Sequence, residues 1–199
     1  MKSSFFSPSV NAQLERYIIL IHQWNAHMNL VAPGELANKD FFFTRHIIDS
    51  AQLSRHLPPT SPLVDIGTGA GLPGIVLALM ETRPVHLVEP REKRILFLEK
   101  ACAHLGLHHV TLHHDRIEHL SLPEDSVFVS RAFRPLPNAL PLLKRHLREE
   151  THYLCLKGAS WSKEVADAQQ GWHFDLADHP SLTHAKSRIL HLSRIRIAS

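Results

Sequence analysis

Cysteine is nearly absent from the 199-residue chain, which has only 2. Cys102 and Cys155 sit in apolar surroundings and form no CxxC. That excludes a disulfide framework and predicts buried, reduced thiols of a cytoplasmic protein. Long apolar runs are missing too. The stretch "YIILI" falls far short of the roughly 20 apolar residues of a membrane span, and the polar start "MKSSFFSPSV" lacks the apolar core of a signal peptide. No membrane association is expected. There is no acidic excess: the net charge is +3, and the C-terminal Lys186, Arg188, Arg194 and Arg196 have no acid among them. With Arg131, Arg134, Lys144, Arg145 and Arg148 they leave two readings open, a solvated basic face or a surface for a polyanion such as RNA. Histidine, by contrast, is abundant at 17 residues. In "HHVTLHH", His109 and His113 would share one face of a strand. No HExxH and no cysteine partner accompany them, so these imidazoles read as solvated or hydrogen-bonded, and no metal is expected.

Hydrophobic spacing divides the chain at "LPPTSP" (Leu57 to Pro62). Before it, Leu14, Tyr17, Ile18, Ile21 and Met28 follow a helical period. "FFFTRHIIDSAQLSRHL" reads as a second helix, with Arg45 and Asp49 one turn apart. After the prolines, strands and helices alternate. "LVDI", "VHLVE", "VTLHH", "SVFVS" and "HYLCLKG" read as strands. Helices are expected over Glu92 to Leu105 (closed by Gly106), over Leu136 to Leu147 despite Pro137 and Pro141, and from about Ser160 to Gln170. "WHFDLA" and "SRILHLSRI" have no convincing helix between them and should pair antiparallel. The expectation is an N-terminal helical extension (residues 1–60) packed on a doubly wound α/β domain (residues 61–199) with one antiparallel strand near an edge.

The glycines are concentrated in "VDIGTGAGLPGIVLAL", at Gly67, Gly69, Gly71 and Gly74. In such sheets ligands bind at the carboxyl ends of the strands, and glycines there let a ligand approach the backbone. Glu89 ends the second strand, where a carboxylate can hold ribose hydroxyls. Gly69-x-Gly71-x-x-Gly74 formally matches the fingerprint of NAD-dependent oxidoreductases. The competing cofactor is S-adenosylmethionine. Asp65, two residues before Gly67, favours the latter: a carboxylate would repel a pyrophosphate but suits ammonium and sulfonium charges. The fourth strand is followed by "SRAFRPL", not by the Asn/Asp-Pro-Pro-aromatic motif of exocyclic-amine methyltransferases, and neither cysteine lies in an exposed loop as a nucleophile. What remains is an acceptor that is already nucleophilic, such as guanine N7, which needs proximity and alignment and no general base.

Several segments together resemble the RsmG family, also called GidB, of bacterial small-subunit ribosomal RNA methyltransferases. They are the glycine loop, "WNAHMNL", "RHIIDS", "EKRILFLEKACAHLGL", "DRIEHL", "SRAF" and "LKG", spanning Tyr17 to Arg188. The resemblance implies a class I S-adenosylmethionine-dependent, Rossmann-like methyltransferase acting on N7 of a guanosine in the decoding region of 16S rRNA, on the RNA itself or in the small ribosomal subunit. By position, Gly67 and Leu72 would touch the cofactor, Ile117 and Glu118 would flank the adenine, and Arg131 would face the methionine end or the entering base. Arg116, Lys157 and Arg188 would hold RNA. Glu89 stands where many relatives have aspartate. A monomer is expected. Arg45, His46 and Asp49 read as a structural network tying the N-terminal helices to the sheet, Lys157 has a second reading as a strand-end cap, and Trp24 reads as core. A non-catalytic RNA-binding module would require a degenerate cofactor pocket.

Overall fold

A computed structural model describes residues 5–198. Its centre is a seven-stranded sheet built from β1 (Leu63–Ile66), β2 (Val85–Val88), β3 (Val110–His113), β4 (Val127–Arg131), β5 (His152–Lys157), β6 (Trp172–Pro180) and β7 (Arg188–Ile197). The strand order is β3-β2-β1-β4-β5-β7-β6. Strand β7 alone runs against its neighbours β5 and β6. This is the doubly wound sheet with one reversed strand that the alternation of elements predicted. Strand order reverses between β1 and β4, so a crevice opens beyond their carboxyl ends.

Helix α1 (Pro8–Asn25) starts where Pro8 occupies the first turn and the Ser7 hydroxyl accepts from the Val10 N–H at 3.3 Å. Beyond its end, Asn25 Oδ1 accepts the N–H groups of Leu30 and Val31 at 2.8 and 2.9 Å, which folds the chain back. The single helix expected over "FFFTRHIIDSAQLSRHL" is instead a composite. It comprises α2 (Lys39–Phe42), a π-helical segment Phe43–Ile48, α3 (Asp49–Ala51) and a 3₁₀ turn Gln52–His56. Widening the turn over Phe43–Ile48 lets Phe42, His46 and Ile47 all face inward, a wider stripe than a regular 3.6-residue period supplies.

Helices α4 (Gly74–Met80) and α5 (Glu92–Leu105) cover the same sheet face as α1, whereas α6 (Leu136–Leu143) and α7 (Trp161–Ala168) cover the other. Gly106, at φ +68°, closes α5 in the left-handed conformation expected of it. Helix α6 is shorter than expected: after Leu143 the chain tightens into a 3₁₀ turn, Lys144–His146. The N-terminal helices share one continuous core with the sheet, in which Leu14, Tyr17, Phe42 and Ile47 pack with Ile75, Leu87 and Phe97. Trp24 meets Phe97 edge to face at 5.7 Å between centroids. Burial pushes the Cys102 and Cys155 thiols up to about 11 and about 12, so both stay protonated and inert.

Candidate active site

The chain leaves β1 through Gly67, Gly69 and Gly71, whose φ angles are +65°, +61° and +87°. Side-chain-bearing residues rarely adopt these values, which is why the turn is written in glycine. A Cβ on Gly67 would stand 2.5 Å from the Phe133 ring, and one on Gly74 would stand 2.2 Å from Leu87 Cδ2. The loop is fastened to β2 by the N–H groups of Gly67 and Thr68, which donate to the Val88 carbonyl at 2.9 and 3.1 Å.

Asp65, expected to meet the cofactor's positive charges, is placed inside the protein. Its side chain is fully buried beneath the loop. One oxygen, Oδ2, accepts from the Thr68 hydroxyl at 2.5 Å and from the Gly74 N–H at 2.8 Å. The cause is strand alternation: Asp65 faces the side of the sheet that α1 and α4 cover, so its carboxyl shapes the loop from below. Burial raises its pKa to about 7 against the opposing pull of those two hydrogen bonds. Glu89 is also almost fully buried. It accepts from the N–H groups of Gly69 and Arg91 at 3.1 Å each, and Arg94 Nη1 lies 3.4 Å away. A carboxylate has about four lone-pair directions, so these bonds leave acceptor capacity for a ribose.

A cleft of about 430 Å³ opens beside Gly67 and is walled by Arg91, Arg116, Ile117, Glu118 and Phe133. The structure therefore brings Gly67, Arg116, Ile117 and Glu118 together as expected. Gly69 contributes its N–H to Glu89 instead of lining the cleft. Leu72 is buried in the core, with its own N–H bonded to the Thr68 carbonyl. Phe133, Arg91 and Asp115 line the cleft as well and were not anticipated. The signal for Phe133 was its place in "SRAF", directly after Ala132, whose φ of +50° turns the following ring onto the loop.

Arg131, at the end of β4, is half-buried. Its Nη1 donates to the Arg45 carbonyl at 3.0 Å and its Nη2 to His46 Nδ1 at 2.6 Å, while Asp49 Oδ2 lies 3.9 Å from Nη1. The expected network tying the N-terminal helices to the sheet is thus present and centred on Arg131. Its Nε–H has no acceptor among the described residues. Burial and the neighbouring arginines push His46 down to about 3, so the ring is neutral. Because His46 Nδ1 accepts from Arg131, its proton is on Nε2, which lies 3.1 Å from the Glu35 carboxylate but is not aligned for a hydrogen bond to it.

The expected RNA-contacting residues separate. Arg116 is exposed at the cleft. The Lys157 ammonium is paired with Glu164 at 2.9 Å and donates to the Arg134 carbonyl, the arrangement of a strand-end cap. Arg188 lies 3.4 Å from Asp178 and 5.7 Å above the Trp161 ring. The acid-free C-terminal stretch is neutralised in part from across the sheet, where Asp178 and Asp175 of β6 meet Arg188 and Arg194 of β7. Sequence distance concealed those pairs. His113 bonds His86 at 3.0 Å, while His109 turns to the Ala78 carbonyl.

The family model of GidB, described as rRNA small subunit methyltransferase G, matches residues 10–193. The ribosomal RNA small subunit methyltransferase G of Bartonella tribocorum is 38% identical, over 95% of this chain and 92% of that protein. Its counterpart from Gluconobacter oxydans is 35% identical, over 94% and 95%. Among solved structures, a SAM-dependent methyltransferase from Aquifex aeolicus superposes with a TM-score of 0.58 at 15% identity, covering 83% of this chain and 94% of that one. The fold is that of class I S-adenosylmethionine-dependent methyltransferases, and the oxidoreductase reading of the glycine loop falls away. The chain belongs to the GidB family, rRNA small subunit methyltransferase G.

Proposed function

We propose that the protein transfers a methyl group from S-adenosylmethionine to N7 of a guanosine in the decoding region of 16S rRNA, acting as a cytoplasmic monomer without a metal. The observation that carries this reading is the cleft between Gly67 and Ile117–Glu118 in a chain matched to its family over residues 10–193. Its residues fit the donor. Gly67, at φ +65°, sets a bare backbone cradle at the cleft wall beside Phe133, Glu89 keeps spare acceptor capacity for ribose hydroxyls, and Ile117 offers an apolar wall to an adenine. Asp65 and Leu72 support the cradle from within.

When bound, the donor supplies a methyl on a sulfonium centre, open to in-line attack by a lone pair. The chain's own residues then have to place that lone pair and exclude water. Guanine N7 carries no proton, so no side chain is needed as a base. Arg131 is held rigidly by Arg45, His46 and Asp49, and its free Nε–H suits a donor carboxylate or the O6 of the base. Arg116 supplies positive charge for RNA at the cleft mouth.

Single-turnover methylation of small-subunit RNA, followed by nuclease digestion and mass analysis, tests the reading. The expected product is 7-methylguanosine, formed at a rate nearly independent of pH from about 6 to 9. A product methylated at another atom, or a tenfold rise in rate per pH unit abolished by replacing one side chain, would overturn it.

A further inference from the structure

A second cleft, of about 580 Å³, lies beyond the carboxyl end of β5. It is walled by the N-terminal helices through Glu35, Phe41, Thr44 and Arg45, and by the β6–β7 connection through Thr183 and Ser187. We propose that this cleft is the acceptor-base pocket: a guanine swung out of the RNA stacks on Phe41 and presents its N1–H and N2 amino group to the Glu35 carboxylate. The assignment rests on the N7 reading above and deepens it.

Three observations converge. The first is position. Glu35 is 3.1 Å from His46 Nε2, and His46 Nδ1 is 2.6 Å from Arg131, so one imidazole separates the cleft wall from the arginine beside the glycine loop. The second is chemistry. A guanine methylated at N7 turns its N7/O6 edge to the methyl donor, which leaves its N1–H and N2 amino group on the far side of the ring. The group suited to that edge is a carboxylate, which accepts both donors at once. Adenine would present the N1 lone pair to the same oxygens and be repelled. The third is the aromatic ring at the mouth. Phe41 is 50% exposed, one of the few large apolar side chains left open to solvent. Unstacked bases are held on such rings when proteins read single-stranded RNA. The far wall is braced in advance: the Thr183 hydroxyl donates to Asp49 Oδ1 at 2.6 Å, and Gln52 Oε1 accepts from the Leu182 N–H at 2.8 Å. Arg45, exposed at the rim, is placed for a backbone phosphate.

The test compares RNA carrying guanosine or inosine at the target position, in small subunits reconstituted from ligated rRNA. Inosine keeps N7 and N1–H and lacks only the N2 amino group. The parent should methylate guanosine faster than inosine by roughly ten- to a hundredfold, the range for losing one hydrogen bond to a charged acceptor. Glu35→Gln should lose most of the guanosine rate and bring the ratio towards one. Phe41→Ala should lower kcat/KM for both substrates by about tenfold or more, since base stacking supplies energy of that order, and Phe41→Leu should do so less. Calorimetric affinity for S-adenosylmethionine should stay within about twofold in all three variants, which also confirms that they fold. An unchanged guanosine/inosine ratio in Glu35→Gln, or full activity in Phe41→Ala, would overturn the pocket while leaving the N7 reading intact. A parent that methylates no N7 would remove that reading and the pocket with it.

Discussion

Two carboxyl groups around the glycine loop have opposite fates. Glu89 is met by two backbone N–H groups and an arginine, and Asp65 by only one N–H and one hydroxyl on a single oxygen, with Oδ1 left bare. Burial raises the Asp65 pKa to about 7, more than its two hydrogen bonds lower it. A group whose folded-state pKa lies above its unfolded value near 3.9 binds a proton more tightly when folded, so its contribution to stability declines as pH rises from about 4 to 7. Asp65→Asn keeps an oxygen for Thr68 and Gly74 and removes the ionisation. Its stability relative to the parent should improve between about pH 4 and 7 and level off above that in urea titrations, and a gap independent of pH would contradict this. Asp65→Ala leaves the buried Gly74 N–H without an acceptor and should cost about 1–3 kcal/mol near pH 4, where the parent carboxyl is protonated when folded, and less as pH rises. The identity of Asp65 as a key residue was legible from its place before the glycines. Its role was not, because whether a strand residue faces a ligand or a covering helix depends on which helices pack there.

At the scale of elements, the strands and their order of appearance were readable because each is a short apolar run between turn residues, and α5 because its cap and stripe agree. The π-helical segment over Phe43–Ile48 was not readable. A run of aromatic and β-branched residues satisfies a helical period, and only the packing of His46 against Arg131 requires the wider turn. The basic C-terminal strand misled for a related reason: its acids lie on the paired strand β6. Gly106 offers a clean measure of what a cap contributes. It sits at φ +68° with open space where a Cβ would go, whereas Gly171 has the same open space and no positive φ. Gly106→Ala should lower stability by about 1 kcal/mol through backbone strain alone, and Gly171→Ala should be neutral or slightly stabilising. Denaturant midpoints of the two variants decide it, and equal midpoints would refute the strain account.

For the molecule as a whole, histidine sets the acid limit. Burial lowers the pKa of seven imidazoles, at His46, His56, His86, His113, His146, His152 and His191. His152 and His191 are 2.8 Å apart across β5 and β7, and His56 stacks on His179 at 3.9 Å beside them. His191 is held down to about 4 by burial and by those neighbours. Depressed values mean that the unfolded chain takes up protons first. The histidines' contribution to stability is complete above about pH 6.5 and declines as pH falls, by about 1.4 kcal/mol per unit for His46 alone. Urea midpoints should drop between pH 6.5 and 4, less steeply in His191→Gln, and a constant midpoint over that range would refute it. The way Asp49 and Gln52 grip the Ser181–Thr183 turn has one more consequence. Residues from the first third of the chain wait for a partner from its last tenth. During synthesis the glycine loop can form early, but the wall opposite Glu35 arrives only with the final stretch. A chain clipped before residue 181 loses that wall and with it β7, the strand that joins β6 to β5, so the rim of the cleft and the sheet beneath it depend on the same final stretch.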